Sequence, residues 1–410
     1  METIIQTGQP HYQLENKRQM PVNTVHVRRG NGRPGALERR VIWYAIKLRI
    51  FYFVCRVLRS PSRILKTYKV LLKLRSDSWG GDLKKIYKVG DKYFFNQYTP
   101  GWPSKAYDEL IKGEIRRHAD PLQTGENLSF IFLAITRKCP MRCEHCFEWN
   151  NLNKQESFTK EDLFKTIDVF QKEGVLQFHF SGGEPMVRFK DLVELIKYAS
   201  KKSECWVVTS GFNVTEENAG KLKQAGCRGI VVSIDHYLPE AHNLFRGRAD
   251  SFNQAVQAVS NAGKAGLVTS VSVCATRAFL DQDHLLPYMD FAKGLGVQFV
   301  QVLEPKDIGN YEGKNVLLTK NHIGKLEQLF TTMNLDPVYQ DYPTMLYHGF
   351  HQRRIGCFSG SRSVYVDSAG DVHACPFCHT KSYNIIELVR NGVNELPRKE
   401  NSCPRYGKIA

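Results

Sequence analysis

Apolar runs alternate with amphipathic stretches through the middle of the chain, from residue 126 to residue 335. Six runs are short, apolar and rich in β-branched or aromatic residues, as buried strands are: Leu128–Thr136, Val175–Phe180, Cys205–Thr209, Gly229–Ile234, Val268–Ala275 and Val297–Leu303. The stretches between them have a helical period, and several begin after a residue that suits a helix cap, namely Thr159, Thr215 and Asp281. Six successive strand–helix units predict an α/β fold with a parallel sheet and right-handed crossovers.

The first 125 residues follow a different pattern. Residues 1–36 are polar and punctuated by Gly and Pro, which predicts a mobile arm. From Leu37 to Arg75 the pattern is helical, with a break expected at Ser60-Pro61, because Ser60 suits a cap and Pro61 suits a first helical position. Residues 84–118 predict a hairpin and a short helix. We therefore expect a mainly helical basic unit (1–125), an α/β unit (126–335) and a small cysteine-rich domain with a β-hairpin (336–410).

The positive charge of the chain is concentrated at its N-terminal end. The first 120 residues contain 24 Lys or Arg against 10 Asp or Glu, which accounts for most of the net charge of +16. Six cations recur at helical spacing and predict one basic stripe: Arg49, Arg56, Arg59, Arg63, Lys66 and Lys73. Trp43, Phe51 and Phe53 fall largely off that stripe. Such a helix suits the surface of an anionic membrane, and it equally suits packing on the main domain with a solvated basic face.

Cysteine usage points to metal rather than to disulfides. Seven of the 11 cysteines fall into two local groups, and the total is odd. The chain begins METIIQTGQPHYQ, which has no apolar signal core. We therefore expect a protein of the reducing cytoplasm, with contact at the inner face of the membrane as the alternative that the basic helix raises.

The first cysteine group directly follows the first predicted strand. Cys139, Cys143 and Cys146 lie in KCPMRCEHCF with the spacing C-x3-C-x2-C. Three thiolates on one short loop can hold three irons of a cubane cluster and leave the fourth iron open to a small molecule. A zinc knuckle is the alternative, although its usual spacing requires a second Cys or His pair nearby.

Further candidate residues follow the next three strands. Gly182-Gly183-Glu184 follows the second strand, Ser210 the third, and Ser233 and Asp235 close the fourth. These are carboxyl ends of strands, where barrels of parallel strands carry their chemistry. The cysteine triplet, followed by the segment Ser181–Pro185, resembles the radical S-adenosylmethionine (radical SAM) family.

That resemblance implies the fold and the reaction. The fold would be a partial (β/α)6 TIM-like barrel, and Cys139, Cys143 and Cys146 would hold a catalytic 4Fe–4S cluster whose open iron binds SAM. Reductive cleavage of SAM would give a 5′-deoxyadenosyl radical that takes a hydrogen atom from a substrate C–H bond.

The resemblance also assigns the contacts of SAM. Gly182, Gly183 and Glu184 would receive the amino group of SAM, with Ser210 in the same binding region. Ser233 and Asp235 would meet the ribose, and Arg246 would pair with the carboxylate. His145 stands where the family usually has an aromatic residue near the adenine.

The second cysteine group lies near the C-terminus. Cys357, Gly370 and Cys375 have the spacing C-x12-G-x4-C around a predicted hairpin, and Cys378 and Cys403 follow. This arrangement resembles the SPASM and twitch extensions of radical SAM enzymes, and four cysteines rather than seven favour the twitch form with one auxiliary 4Fe–4S cluster. A structural zinc site is the alternative. If Cys403 is not a ligand, an open iron could hold substrate.

The resemblance does not name the substrate. A peptide or protein is the leading hypothesis, because SPASM-like extensions often accompany that role, and a small molecule also stays open. A lipid or isoprenoid is the alternative that the basic helix suggests, and a non-catalytic iron–sulfur electron carrier is the alternative of another class. The resemblance implies a reducing partner such as flavodoxin or ferredoxin. We see no nucleic-acid recognition motif and expect no nucleic-acid partner.

Overall fold

The computed structural model describes residues 32–81, 85–119, 128–393 and 395–397. Most of the predicted N-terminal arm (residues 1–31) and Cys403 lie outside the described residues. The last part of that arm is anchored: Arg33 donates a hydrogen bond to the carbonyl of Tyr342 and lies 3.6 Å from the Asp341 carboxylate.

The N-terminal unit packs helices around a small core of its own. Its elements are α1 (Ala36–Val57), α2 (Pro61–Trp79), β1 (Tyr87–Val89), β2 (Lys92–Phe94) and α3 (Lys105–Ala119). The predicted break at Ser60-Pro61 is confirmed, because Ser60 is extended and Pro61 begins α2. The hairpin β1–β2 is antiparallel, as predicted. Buried residues of α1 and α3, such as Ile46, Phe53 and Ile115, share one hydrophobic cluster.

A ten-stranded sheet forms the centre of the molecule, and its inner six strands are those predicted between residues 126 and 335. They are β3 (Phe130–Ala134), β4 (Gln177–Ser181), β5 (Glu204–Thr209), β6 (Cys227–Ser233), β7 (Val268–Cys274) and β8 (Phe299–Leu303). Neighbouring strands pair in parallel and in chain order. Strands β4 and β7 are buried along their whole length, as expected for parallel strands covered on both faces. The α/β fold class is confirmed, and this sheet is compatible with a partial TIM-like barrel.

Helices connect these strands. They are α4 (Lys160–Lys172), α5 (Phe189–Ala199), α6 (Glu216–Gln224), α7 (Pro239–Arg246), α8 (Ser251–Lys264), α9 (Arg277–Asp281) and α10 (Leu285–Gly294), with α11 (Lys320–Leu335) after β8. Thr159 and Thr215 cap α4 and α6 through their side chains, as predicted. The prediction for Asp281 was wrong: it ends α9, and Thr276 is the cap of that helix.

The C-terminal segment extends the same sheet at both edges. Strand β9 (Thr344–Tyr347) pairs in parallel with β8, and after α12 (His348–Ile355) the chain crosses to the opposite edge. There β10 (Ser363–Val366) pairs in parallel with β3, and β11 (Asp371–His373) and β12 (Tyr383–Asn384) add antiparallel strands before α13 (Ile385–Arg390). The hairpin predicted around Gly370 is therefore present. The sheet is continuous across residue 335, where the sequence pattern suggested a domain boundary.

The segment after β2 fills the barrel at the amino ends of its strands. The side-chain amide of Gln97 donates to Gln301 at 2.8 Å, and Ser270 donates to Gln97 at 2.6 Å. The Tyr98 ring packs against Phe130 and His179 with centroid distances of 5.0 and 5.4 Å. Because this end is filled by the protein itself, the carboxyl ends of the strands are the natural place for a ligand.

The six N-terminal cations do not form one stripe, which corrects the prediction. The chain turns between α1 and α2, so five of these cations lie on two helices and Arg59 lies in the turn between them. Arg49 is bound to Asp108 on α3 with an Nη2–Oδ2 distance of 2.6 Å. Phe53 is buried and Trp43 packs on Phe95, so both aromatic residues face the protein. Among the described residues, no helix is both long and apolar enough to cross a membrane.

Candidate active site

The loop after β3 carries the three cysteines of the first group, and we call residues 137–147 the cysteine loop. The thiols of Cys139, Cys143 and Cys146 lie close enough together for Cys143 to act electrostatically on the other two. Burial raises the pKa of the Cys139 thiol to about 12 and raises the pKa of the other two as well. Thiolates at this place therefore need a strongly positive partner, such as iron, to offset their loss of hydration.

Hydrogen bonds from three other segments hold the cysteine loop in shape. Asn153, which has a positive φ of 58°, accepts a bond from the N–H of Cys139 at 3.0 Å and donates to its carbonyl at 3.2 Å. The N–H of Asn310 donates to the Cys146 carbonyl at 2.9 Å, and its side chain donates to the Cys143 carbonyl at 3.2 Å. The N–H of Glu144 donates to the carbonyl of Phe245 at 2.9 Å.

Sequence reasoning missed Asn153 and Asn310. The only signals were an Asn in a turn-like stretch and a Gly-Asn pair, and both are common in loops without function.

The two glycines after β4 lie directly against the cysteine loop. A Cβ on Gly183 would come within 2.5 Å of the Lys138 carbonyl oxygen, and a Cβ on Gly182 within 2.6 Å of the Thr136 oxygen. Gly182 also has a φ of +142°, which other residues rarely adopt. The N–H groups of Gly183 and Glu184 donate to the carbonyls of Thr136 and Lys138, both at 2.8 Å. Only glycine permits this close approach of the two loops.

Glu184 braces the ends of β4 and β5 against each other. Its buried carboxylate accepts hydrogen bonds from the N–H of Met186 (3.0 Å), from the hydroxyl of Thr209 (2.7 Å) and from both the N–H and the hydroxyl of Ser210 (2.8 and 2.5 Å). Burial raises the pKa of Glu184, and the bonds from Ser210 and Thr209 oppose that rise. The side chains of Glu184 and Ser210 are thus bound to each other, which leaves backbone groups of this segment to face a ligand.

Asp235 and Arg246 form a buried ion pair beside Cys143. The Nη2 atom of Arg246 lies 2.5 Å from the Oδ2 atom of Asp235, and its Nη1 donates to the Cys143 sulfur at 3.4 Å. Although burial alone would raise it, the Arg246 guanidinium holds the pKa of Asp235 below its usual value. A SAM carboxylate bound to Arg246 would have to share it with Asp235. The sequence did not indicate this pair.

Two further predicted residues take places at this end of the barrel. Ser233 is half-buried, and its hydroxyl lies 3.3 Å from that of Ser272. The His145 ring stacks on Phe245 with a centroid distance of 4.8 Å. Burial lowers the pKa of His145 to about 4, so the ring is neutral, and its Nδ1 has no hydrogen-bond partner among the described residues.

The cysteine loop offers three thiol donors, the number that an iron–sulfur cluster with one open iron requires. Among the described residues, no three His, Cys, Asp or Glu side chains converge tightly enough to hold one metal ion. A tetrahedral zinc site needs its sulfur ligands about 2.3 Å from one metal. In a cubane cluster, by contrast, each thiolate binds a different iron.

The second cysteine group lies next to the first. Cys357, Cys375 and Cys378 pack together, and the N–H of Cys378 donates to the carbonyl of Cys375 at 3.1 Å. Gly370, in the turn of the β10–β11 hairpin, has a φ of +89°, as the predicted hairpin requires. The structure thus brings three of the four predicted ligands together, and Cys403 lies outside the described residues.

Phe147 and Glu148 join the two groups. The Phe147 ring meets Phe377, which lies between Cys375 and Cys378, with a centroid distance of 5.7 Å. The buried Glu148 carboxylate accepts hydrogen bonds from Tyr365 and Ser368, the latter at 2.5 Å. No sequence pattern indicates a role for Glu148, because a single Glu after a cysteine motif is usually solvated.

Comparison with known proteins adds a family and a set of relatives. Residues 133–280 match the model of the radical SAM superfamily. The GTP 3′,8-cyclase of Aquifex aeolicus is 25% identical over 232 residues, which are 52% of this chain and 72% of that protein. The GTP 3′,8-cyclase 2 of Pseudomonas aeruginosa is 25% identical over 297 residues, which are 69% of this chain and 88% of that protein.

Among solved structures, Streptococcus suis SuiB bound to the precursor peptide SuiA has a TM-score of 0.53 and 13% identity, and the match covers 75% of this chain and 76% of that one. A second structure, SuiB bound to S-adenosylmethionine, has a TM-score of 0.51 and 14% identity, covering 68% and 69% of the two chains. At these identities the likeness shows a shared fold.

Proposed function

We propose that this chain, in which residues 133–280 match the radical SAM superfamily, is a radical SAM enzyme that abstracts a hydrogen atom from a C–H bond of a peptide or protein substrate. The observation that carries the proposal is the meeting of two loops at the carboxyl ends of β3 and β4. Three thiols lie on one loop, and two glycines that no larger residue could replace lie against it.

The residues present would divide the work as follows. Cys139, Cys143 and Cys146 would hold the cluster, and backbone groups of Gly182 and Gly183 would orient the amino group of SAM. When bound, the cluster and SAM together supply the 5′-deoxyadenosyl radical. Arg246 would balance the negative charge of the Cys143 thiolate and of a SAM carboxylate, with Asp235 fixing its guanidinium. The neutral His145, whose Nδ1 has no hydrogen-bond partner among the described residues, would offer that atom to the adenine side of the site.

A peptide or protein substrate is favoured by the second cysteine group. Its spacing resembles that of twitch extensions, and three of its cysteines pack together beside the cysteine loop. The fold is also that of SuiB, which has been solved with a precursor peptide bound. In this account Cys357, Cys375, Cys378 and Cys403 hold an auxiliary 4Fe–4S cluster. That cluster would anchor the substrate or accept an electron from the product radical.

A nucleotide is the second candidate substrate, because the curated relatives act on GTP. Their similarity covers 52% and 69% of this chain. A lipid or isoprenoid is a third, and the exposed apolar residues of α1, such as Val41 and Leu48, favour it. The non-catalytic electron carrier loses its support, because residues 133–280 match the radical SAM superfamily.

The test is a substrate-dependent assay with the anaerobically reconstituted chain, SAM and a reductant. Synthetic peptides encoded by genes adjacent to this one would be compared with GTP. The proposal predicts more 5′-deoxyadenosine with peptide than without it, and a mass change in the peptide. A response to GTP and none to peptide would replace the peptide proposal by the nucleotide one.

A further inference from the structure

Helix α1 is apolar on two opposite faces. One face packs into the N-terminal unit and consists of buried residues, namely Ile42, Ile46, Ile50, Phe53 and Val54. The opposite face points away from the protein and includes Leu37, Val41, Tyr44, Leu48, Phe51 and Tyr52, which are 76%, 59%, 66%, 68%, 39% and 49% exposed. We call this second set the outer face of α1. Soluble proteins rarely leave a contiguous apolar surface of this kind uncovered unless it binds something.

The outer face is a continuous stripe. With about 100° of rotation per residue, its side chains fall within about 100° of the helix circumference and run over about four turns. At one end, Leu37 and Val41 also line a groove of about 560 Å³ together with Trp102 and Pro103. The stripe therefore continues into an apolar hollow of the neighbouring loop.

Cations border this stripe on both sides. The same helical geometry places Arg40 and Lys47 about 80° to 100° to one side of Leu48, and Arg56 about 80° to the other. Among the described residues, none of these three cations has a carboxylate partner within ion-pair distance, in contrast to Arg49, which is bound to Asp108.

The nearby carboxylate of Glu38 accepts a hydrogen bond from Tyr93 at 2.7 Å and lies 3.4 Å from the Lys88 ammonium. Asp91 also lines the groove and is an exposed carboxylate at the Leu37 end, whereas Glu38 is the one acidic residue of α1 itself. Beyond that end, the edges of the stripe carry positive charge.

We propose that the outer face of α1 binds the surface of an anionic lipid bilayer, with the helix axis parallel to the membrane plane. The apolar stripe enters the boundary between head groups and acyl chains, and Arg40, Lys47 and Arg56 lie at the level of the lipid phosphates. Charge complementarity favours an anionic bilayer over a second protein, because an apolar protein surface would not require cations along both edges of the stripe. The proposal concerns where the protein is held and does not depend on its reaction.

The experiment is flotation of the full chain with vesicles. One set is phosphatidylcholine alone, and the other is phosphatidylcholine with phosphatidylglycerol, each at low and high salt. We expect the chain to float with the anionic vesicles at low salt and to be largely released at high salt, since the charged part of the attraction is screened.

Two variants and a matched control separate the parts of the face. The double variant Val41→Glu/Leu48→Glu should lower the fraction bound to anionic vesicles by about tenfold or more, because it removes two apolar anchors and adds like charge. The triple variant Arg40→Gln/Lys47→Gln/Arg56→Gln should lose the preference for anionic lipid. Leu317→Glu, at a residue 47% exposed on the loop before α11, should bind as the parent does. All changed residues are on the surface, and circular dichroism checks that each variant is folded.

Three results would overturn the proposal. The first is that the parent chain does not float with anionic vesicles at low salt. The second is that Leu317→Glu weakens flotation as much as the double variant does. The third is that the double variant converts a dimer into a monomer in sedimentation while flotation is unchanged, which would assign the face to a second copy of the chain.

Discussion

Glu184 offers the sharpest test of how the site is held together. Its carboxylate accepts four hydrogen bonds from Met186, Thr209 and Ser210, and it is almost completely buried. Replacement by Ala removes the acceptor of two backbone N–H groups, those of Met186 and Ser210, whereas the two hydroxyls can rotate to other partners. The variant therefore leaves at least two buried donors without their native acceptor.

The magnitude follows from the cost of such groups. Each buried donor left unsatisfied costs about 1–3 kcal/mol, so Glu184→Ala should lower the free energy of unfolding by about 2–6 kcal/mol. Glu184→Gln keeps the shape and one acceptor oxygen but turns an NH2 group toward donors, so about half of that loss is expected. Because Gly182 and Gly183 immediately precede this brace, both variants should also weaken SAM binding.

The assay is urea unfolding of the anaerobically purified chain, followed by circular dichroism and by SAM binding under native conditions. Glu194→Ala is the control, since the Glu194 side chain is 52% exposed and makes a surface ion pair with Lys160. Such pairs contribute about 0–1 kcal/mol. If Glu184→Ala is within about 0.5 kcal/mol of that control, the brace does not support the site and the reasoning from its hydrogen bonds is refuted.

Three further predictions concern other parts of the molecule. Replacing Cys375 and Cys378 by Ala should spare the formation of 5′-deoxyadenosine without substrate and abolish substrate turnover, and zinc rather than iron at this group in anaerobic protein would contradict the auxiliary cluster. Arg246→Met should destabilise the protein by about 3–5 kcal/mol because Asp235 is left buried and unpaired, and Arg246→Met/Asp235→Asn should recover part of that loss in urea unfolding; additive losses would argue against the pair. Burial lowers the pKa of Lys85, which donates to the Tyr342 carbonyl at 2.9 Å, to about 7. In the unfolded chain Lys85 keeps its proton to higher pH than in the folded protein. The free energy of unfolding of the parent, relative to that of Lys85→Met, should therefore rise by about 1 kcal/mol per pH unit between pH 7 and 9. A difference between the two proteins that does not change with pH would contradict this prediction.

The repeating part of the fold could be predicted because its signals are local. Each inner strand was marked by its own apolar run, and each motif followed a strand end in the order that a parallel sheet requires. The helix caps Thr159 and Thr215 could be predicted for the same reason. The prediction for Asp281 was wrong because an acidic residue near a helix end suits either a cap or a last turn. Thr276 is the cap of a short helix that ends at Asp281.

The rest depends on contacts between distant parts of the chain. No local pattern indicates that β9 and β10 join opposite edges of one sheet, or that Gln97 and Tyr98 fill the barrel. The hydrogen bond from the Asn310 side chain to the Cys143 carbonyl joins residues 167 positions apart in the chain. The outer face of α1 was also hidden, because a helix that is apolar on two sides does not reveal which side packs.

The central claim is that the cysteine loop carries the SAM-cleaving cluster, and one measurement tests it directly. The parent and the variant Cys139→Ala/Cys143→Ala/Cys146→Ala are reconstituted anaerobically and given SAM and a reductant, and 5′-deoxyadenosine is quantified beside the iron content. The account predicts that the variant loses about four irons per chain and forms no 5′-deoxyadenosine above the protein-free control. Formation of 5′-deoxyadenosine at the parent's rate by this variant would contradict it.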